Sequence, residues 1–190
     1  MCGVFGAVLP TGEPTEAANV AALGLFALQH RGQESAGLAV SDGEQLMLYK
    51  DLGMISSVLD ERRIPSLRGD LAIAHCRYST TGSTIWENAQ PTFRLGPRRA
   101  LAIGHNGNLV NTRELLDQLS GGRGRLPAST DTELLTALLA DEPAAAGAPV
   151  SGTGMTRSVS AGCSIASCSP IRRRTSYRLR PSMYESGRAK

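Results

Sequence analysis

Met1-Cys2-Gly3-Val4-Phe5-Gly6-Ala7-Val8-Leu9-Pro10 opens the chain, and its reading decides the fold. Val4 to Leu9 is a short apolar run closed by Pro10 and Gly12, the pattern of a buried strand beginning almost at the first residue. Cys2 then stands at a strand's end. A small second residue permits removal of the initiator methionine, which would leave a thiol and a free α-amine on one residue. Their unperturbed pKa values are about 8.5 and about 7.7–8.0, so the amine can act as base for its own thiol. The plain alternative is a small apolar residue opening an edge strand.

The bulk composition is that of an ordinary globular protein: 190 residues, 41% hydrophobic and 19% charged, which favours one domain with at most an appendage. Aromatic residues are scarce, so the core must come from Leu, Ala, Val and Ile. No apolar run approaches a membrane span and no signal peptide opens the chain, so a cytoplasmic location is expected. Four cysteines, at 2, 76, 163 and 168, are too scattered for a disulfide framework or a zinc site. Net charge is +3, yet residues 147–190 hold seven Arg, one Lys and only one Glu, leaving the earlier part acidic.

After the opening strand, Thr15 is a candidate N-cap for a helix carried by Val20, Leu23, Ala27 and Leu28 and ended by Gly32. His30 to Gly37 is a polar, glycine-bounded loop. Gly37–Val40 and Gln45–Tyr49 read as strands joined across Ser41-Asp42-Gly43-Glu44. Met54 to Leu67 suggests a short helix ended before Pro65, and Leu71 to Tyr78 a strand. Ser79 to Gln90 is a loop long enough to move over a site. Leu101–Gly104 is a strand running into His105-Asn106-Gly107-Asn108. Asn111–Glu114 and Thr130–Glu133 both have capping-box spacing. Leu115, Leu116 and Leu119 mark the buried stripe of the first of these helices, stopped at Gly121-Gly122. Leu134, Leu135, Leu138 and Leu139 carry the second to about Ala140, before Pro143. This order implies a layered α+β domain without the regular alternation of a doubly wound sheet. Residues 147–190 show no sustained period, and disorder is the expectation there.

Polar groups gather at the ends of these elements. Each has a plain reading: His75 and His105 as hydrogen-bonded strand-end histidines, Asn106-Gly107 as a turn, Arg77 as an ion-pair residue, Asp131 as a helix-start carboxylate. A metal site from Cys2, His75, Cys76 and His105 has no spacing to support it.

Taken together, Met1-Cys2-Gly3, Leu28-Gln29-His30-Arg31-Gly32-Gln33-Glu34-Ser35-Ala36-Gly37, Gly69-Asp70-Leu71-Ala72-Ile73-Ala74-His75-Cys76-Arg77-Tyr78-Ser79-Thr80-Thr81-Gly82 and His105-Asn106-Gly107 resemble the class II glutamine amidotransferase domain over about residues 2–140. The two long motifs are most similar to the branch that opens purine synthesis by passing ammonia to phosphoribosyl pyrophosphate. Other branches prefer an aromatic residue where Gln33 stands and Trp where Tyr78 stands. Cys76 departs mildly from the family, which favours a small β-branched residue there.

The resemblance implies an N-terminal nucleophile hydrolase fold, an αββα sandwich, incomplete in this chain. It implies Cys2 as nucleophile, with its own α-amine as base, and the Asn106 side chain and Gly107 N–H as oxyanion donors. For glutamine it implies Arg77 on the carboxylate and Asp131 on the ammonium, Thr80 on a closing loop, and Arg31 among the substrate-binding residues. No cofactor is implied for these residues. Magnesium and phosphoribosyl pyrophosphate go with a second domain, absent here, and the intact protein is expected to be a homo-oligomer.

The expected division is residues 1–146, the first part of the glutaminase domain, and 147–190, a basic Ser/Arg-rich tail. Arg outnumbers Lys by 18 to 2, which suggests a GC-rich coding sequence. The motif resemblance ends near Ala144, so a frameshifted or truncated reading of a longer gene is the expectation. Two alternatives stand beside it. One is a non-catalytic glutamine-binding or regulatory module with its tail on nucleic acid, although the tail lacks interleaved aromatics and any binding motif. The other is an inert fragment with an incomplete core.

Overall fold

The computed structural model describes residues 1–10, 16–78, 83–96, 100–119 and 126–141, and the backbone of 163–168. The helix start at Thr15, the loop residue Thr80 with its neighbours 79–82, the Gly121-Gly122 stop, the 146/147 boundary and the rest of the tail lie outside the described residues.

Two antiparallel sheets face each other, and each carries helices on its outer side. In the first sheet β1 (Gly3–Val8), β4 (Leu71–Arg77), β2 (Ser35–Ser41) and β3 (Leu46–Leu52) lie in that order. The second holds β5 (Thr92–Leu95), β6 (Ala100–His105) and β7 (Cys163–Cys168), with β6 central. Helix α1 (Glu16–Ala27) and the single turn α2 (Ile55–Val58) cover the first sheet; α4 (Asp131–Asp141) covers the second, with α3 (Thr112–Gln118) against it. This is the four-layered α+β sandwich expected of an N-terminal nucleophile hydrolase.

Strand alternation sorts the core. Ala36, Leu38 and Val40 of β2 pair with Cys76, Ala74 and Ala72 of β4 and pack on α1. Their neighbours Ala39, Leu71 and Ile73 turn inward to meet Ala102 of β6. Leu101 and Ile103 point the other way, onto Leu135, Leu139 and Ala140 of α4. Side chains of period two on strands and a stripe on each helix thus account for every layer.

The structure corrects three readings. Helix α1 buries Ala17, Ala18, Ala21, Ala22 and Leu25, while Leu23 is 71% exposed and Val20 and Ala27 are exposed too. Alanines let the helix axis approach the sheet closely, so the small-residue face won over the bulkier one. Asn111 makes no capping hydrogen bond; Thr112 Oγ1 instead donates to the Leu109 carbonyl at 3.0 Å. At α4 half the box forms: Glu133 N–H reaches Thr130 Oγ1 at 3.4 Å, but the Glu133 carboxylate turns to Arg94. Two strands also had no sequence expectation. Strand β5 is four residues long and follows directly on the Gln90-Pro91 peptide, and β7 lies where no period marked an element, yet it pairs along all of β6.

The hairpin between β2 and β3 turns where expected. Asp42 Oδ1 accepts the N–H groups of Glu44 and Gln45 at 2.9 and 2.7 Å, and Gly43 supplies the left-handed residue at φ +91°. The strands run longer than the sequence pattern marks, from Ser35 and out to Leu52.

Candidate active site

Register decides which side chains meet the Cys2 thiol. In the β1–β4 pair Gly3 lies opposite Cys76, so one step further brings Cys2 to the level of Arg77. Gly3 and Cys76 belong to the α1 side of the sheet, and alternation therefore turns Cys2, Arg77 and His75 toward the space between the sheets. Cys76 is buried on the opposite face, its Sγ 3.5 Å from the Leu28 carbonyl, and burial pushes its thiol up. Cys2 and Cys76 thus face opposite sides of the strand pair. Among the described residues, no group of three or more His, Cys, Asp and Glu could hold a metal ion.

Three segments fix Cys2. Its carbonyl accepts Arg31 Nε at 3.0 Å and Asn106 Nδ2 at 3.1 Å. Its Sγ receives the Tyr78 backbone N–H at 3.5 Å and lies 3.6 Å from the Tyr78 carbonyl. Arg31 comes from a 3-10 turn, Gln29–Arg31, that follows α1, and Tyr78 from the exit of β4. Asn106 follows β6, whose alternation sends Gly104 and Asn106 toward the first sheet and His105 toward α4. An asparagine amide has two N–H donors. One serves the Cys2 carbonyl and leaves the other for an oxygen near the thiol. Gly107 must lack a side chain, because a Cβ there would collide with the His105 ring at Nε2.

Arg77 is 4% exposed. Its Nη1 donates to the Ser83 carbonyl at 3.2 Å and stands 3.7 Å from Glu34, which in turn accepts Thr84 Oγ1 at 3.1 Å. Asp131, the first residue of α4, accepts the Leu109 N–H at 2.9 Å and lies 3.8 Å from His105 Nδ1. Burial pushes the Asp131 carboxyl up, but the His105 ring and the Leu109 N–H outweigh it and hold it below the ordinary carboxylate value.

His75 closes the floor of this space. Its Nε2 donates to the His105 carbonyl at 3.1 Å, so the neutral ring carries its proton there. Complete burial drives its pKa down to about 3, which keeps the imidazole neutral. Among the described residues its Nδ1 and Ser35 Oγ are buried without a hydrogen-bond partner. The ring is thus a bridge between the two sheets, as the plain reading had it.

Residues 52–161 match the family described as glutamine amidotransferases class-II. The chain belongs to the class-II glutamine amidotransferases. Within that family it is 53% identical over 145 residues to an amidophosphoribosyltransferase of Mycobacterium leprae, covering 73% of this chain and 26% of that protein. It is 52% identical over 137 residues to the amidophosphoribosyltransferase of Synechococcus elongatus, 70% of this chain and 27% of the relative. The chain therefore spans about a quarter of the length of these curated relatives. Among solved structures it is similar to glutamine phosphoribosylpyrophosphate amidotransferase from Bacillus subtilis, with a TM-score of 0.63 and 37% identity over 75% of this chain and 30% of that one. A structure described as the allosteric regulatory enzyme of purine biosynthesis gives a TM-score of 0.65 at 38% identity, with the same coverage.

In this class-II amidotransferase the structure brings Cys2, Arg31 and Asn106 into direct contact, sets Gly107 beside them, and places Arg77 and Asp131 at the ends of β4 and α4. Thr80 lies outside the described residues. Sequence reasoning missed the segment beneath the site. Asn88 is fully buried and Gln90 is 5% exposed, and both bind backbone groups next to residues of the site. Their signal was two side-chain amides flanking Ala89 just ahead of Pro91, in what read as a loop long enough to move over the site; its described part, 83–90, is instead pinned by buried hydrogen bonds.

Proposed function

We propose that this chain is the glutamine-hydrolysing part of an amidophosphoribosyltransferase, with Cys2 as nucleophile after Met1 has been removed. Met1 is 72% exposed and so open to an aminopeptidase. The observation that carries the reading is the convergence of Arg31, Tyr78 and Asn106 on one cysteine at a strand's end.

The freed α-amine takes the thiol proton as Sγ attacks the side-chain carboxamide carbon of glutamine. The oxyanion formed lies against the second N–H of Asn106 Nδ2 and the Gly107 N–H, donors that need no reorganisation during the reaction. Collapse breaks the C–N bond, the amine returns its proton to the leaving nitrogen, and ammonia departs. Water then cleaves the thioester to glutamate and regenerates the thiol. Arg77 offers a planar fork to the substrate carboxylate, with Arg31 beside the nucleophile, and Asp131 offers the opposite charge to the substrate ammonium. Thr80 belongs to the loop that would cover them. The ammonia acceptor would be phosphoribosyl pyrophosphate with magnesium, bound outside these residues.

Intact mass and a glutaminase assay on the expressed chain test this together. The expected result is loss of Met1 and glutamine-dependent glutamate release that disappears in Cys2→Ala. Release that persists in Cys2→Ala, or no release from chains shown to begin at Cys2, sinks the reading.

A further inference from the structure

The segment 83–91 crosses the gap between the sheets and touches both halves of the site. It is fastened from outside. Lys50 of β3 donates from Nζ to the Ala89 carbonyl at 2.5 Å and the Glu87 carbonyl at 3.4 Å, and stacks over Trp86 at 4.9 Å. Trp86 Nε1 returns a bond to the Lys50 carbonyl at 3.0 Å. Gly37 of β2 is the floor, since a Cβ there would meet the Gln90 carbonyl and Pro91.

On its inner side the segment presents two buried amides with separate targets. Asn88 Nδ2 donates to the Ser83 carbonyl at 2.8 Å, the same oxygen that receives Arg77 Nη1. Asn88 Oδ1 accepts the Ser129 N–H at 3.1 Å and lies within reach of Ser129 Oγ at 3.4 Å, two residues before Asp131. Gln90 Oε1 accepts the His105 N–H at 2.8 Å, immediately before Asn106, and its Nε2 donates to Thr132 Oγ1 at 3.0 Å. A primary amide supplies a donor and an acceptor on one rigid plane, so each ties two chain segments together, Asn88 through the backbone of Ser83 and Ser129 and Gln90 through the His105 N–H and the Thr132 hydroxyl.

We propose that Asn88 and Gln90 are positioning residues with divided labour: Asn88 sets the Arg77 and Asp131 ends that read the substrate's α-groups, and Gln90 sets the Asn106-Gly107 oxyanion donors. This rests on the glutamine-hydrolysing reading above. The division follows from the bonds nearest the reading and oxyanion groups: Asn88 shares the Ser83 carbonyl with Arg77, and Gln90 holds the N–H just before Asn106, while its second bond, to Thr132 beside Asp131, makes the ammonium end a shared contact. A misplaced Arg77 weakens ground state and transition state alike, which raises KM. A misplaced oxyanion donor weakens only the transition state, which lowers kcat.

The test uses the full 190-residue chain with near-isosteric variants. Asn88→Asp keeps the acceptor for Ser129 but loses the donor to Ser83, and is expected to raise KM for glutamine about tenfold with kcat within about threefold. Gln90→Met loses the acceptor for His105 and the donor to Thr132 beside Asp131, and is expected to lower kcat about a hundredfold while raising KM no more than about threefold. Gln90→Glu, which keeps that acceptor, is expected to restore most of the lost kcat. A readout without turnover accompanies the kinetics: amide hydrogen exchange at His105 is expected to accelerate in Gln90→Met and stay slow in Gln90→Glu. Equal effects of both variants on kcat and KM, or failure of Gln90→Glu to rescue, reduces both residues to structural support and overturns the proposal. If the wild-type chain releases no glutamate, the functional reading fails on its own. The exchange data then decide whether Gln90 holds the His105 segment: unchanged exchange at His105 in Gln90→Met refutes it.

Discussion

Acidification is expected to destabilise this protein, between pH 7 and 5 chiefly through His75 and at lower pH also through Asp131, whose carboxyl is held below its ordinary value. The His75 ring lies wholly between the sheets with Nε2 on the His105 carbonyl, and its folded pKa is about 3 against an unperturbed value near 6.5. In the unfolded chain the imidazole takes a proton as pH falls below about 6.5; in the folded chain it does not until about pH 3. The unfolded state therefore binds more protons across that window, so stability is flat above it and falls as pH is lowered through it. At pH 5 the difference amounts to about 1.5 pH units, or about 2 kcal/mol. That is a large share of a total of order 5–15 kcal/mol. Burial also raises the Glu133 carboxyl, which opposes the trend by favouring the protonated folded state at low pH. Urea unfolding of wild type and His75→Gln at pH 7, 6 and 5 isolates the histidine contribution, because Glu133 acts equally in both. The wild type is expected to lose about 2 kcal/mol more than the variant between pH 7 and 5. Parallel pH dependence in the two proteins would refute the assignment of a neutral, buried ring.

Other substitutions probe the site and the helix packing. Gly107→Ala places a methyl group against the His105 ring and is expected to lower kcat for glutamine by about 10²–10³, with the thermal midpoint less affected; steady-state kinetics beside a melting curve checks both. Asp131→Asn removes the opposite charge for the substrate ammonium while leaving an oxygen for the Leu109 N–H, so KM should rise at least about tenfold with a nearly unchanged melt. Leu23→Ser, on the exposed face of α1, should change unfolding free energy by no more than about 0.5 kcal/mol. Ala18→Leu, on the face packed against the sheet, should cost about 1–3 kcal/mol by overpacking; the reverse order of effects would contradict the observed orientation of the helix.

The candidate site was legible as a set of positions because its residues sit at the ends of elements with strong patterns. Val4 to Leu9 and Leu71 to Tyr78 alternate or run apolar between clear turn signals, so Cys2 and Arg77 fall at strand ends without any knowledge of their partners. The face of α1 was not legible: Leu23 and Ala21 both lie on plausible helical stripes, and only the close approach of the sheet selects alanine. Strand β5 is too short and too near Pro91 to show a period, and β7 owes its place to pairing with β6 rather than to any pattern of its own. Asn88 and Gln90 were invisible for a related reason. A buried amide that satisfies distant backbone groups looks, in sequence, like any polar loop residue.

The second position in the chain matters for geometry as much as for chemistry. Side chains alternate strictly along a strand, so a shift of one residue exchanges the faces. Gly3 lies one step from Cys2 on the α1 side, where a Cβ would strike Cys76 Sγ and Leu28. A cysteine there would be walled in by the helix, away from Asn106 and Arg77. The same parity sends Asn106 inward and His105 outward from β6, and it sends Arg77 inward and Cys76 outward from β4. Glycine at position 3 and cysteine at position 2 are therefore two consequences of one register. Because the strand begins at Gly3, the backbone nitrogen of Cys2 stays at the open end of the sheet rather than inside its hydrogen-bonded ladder, which is what the proposed use of that amine as a base requires.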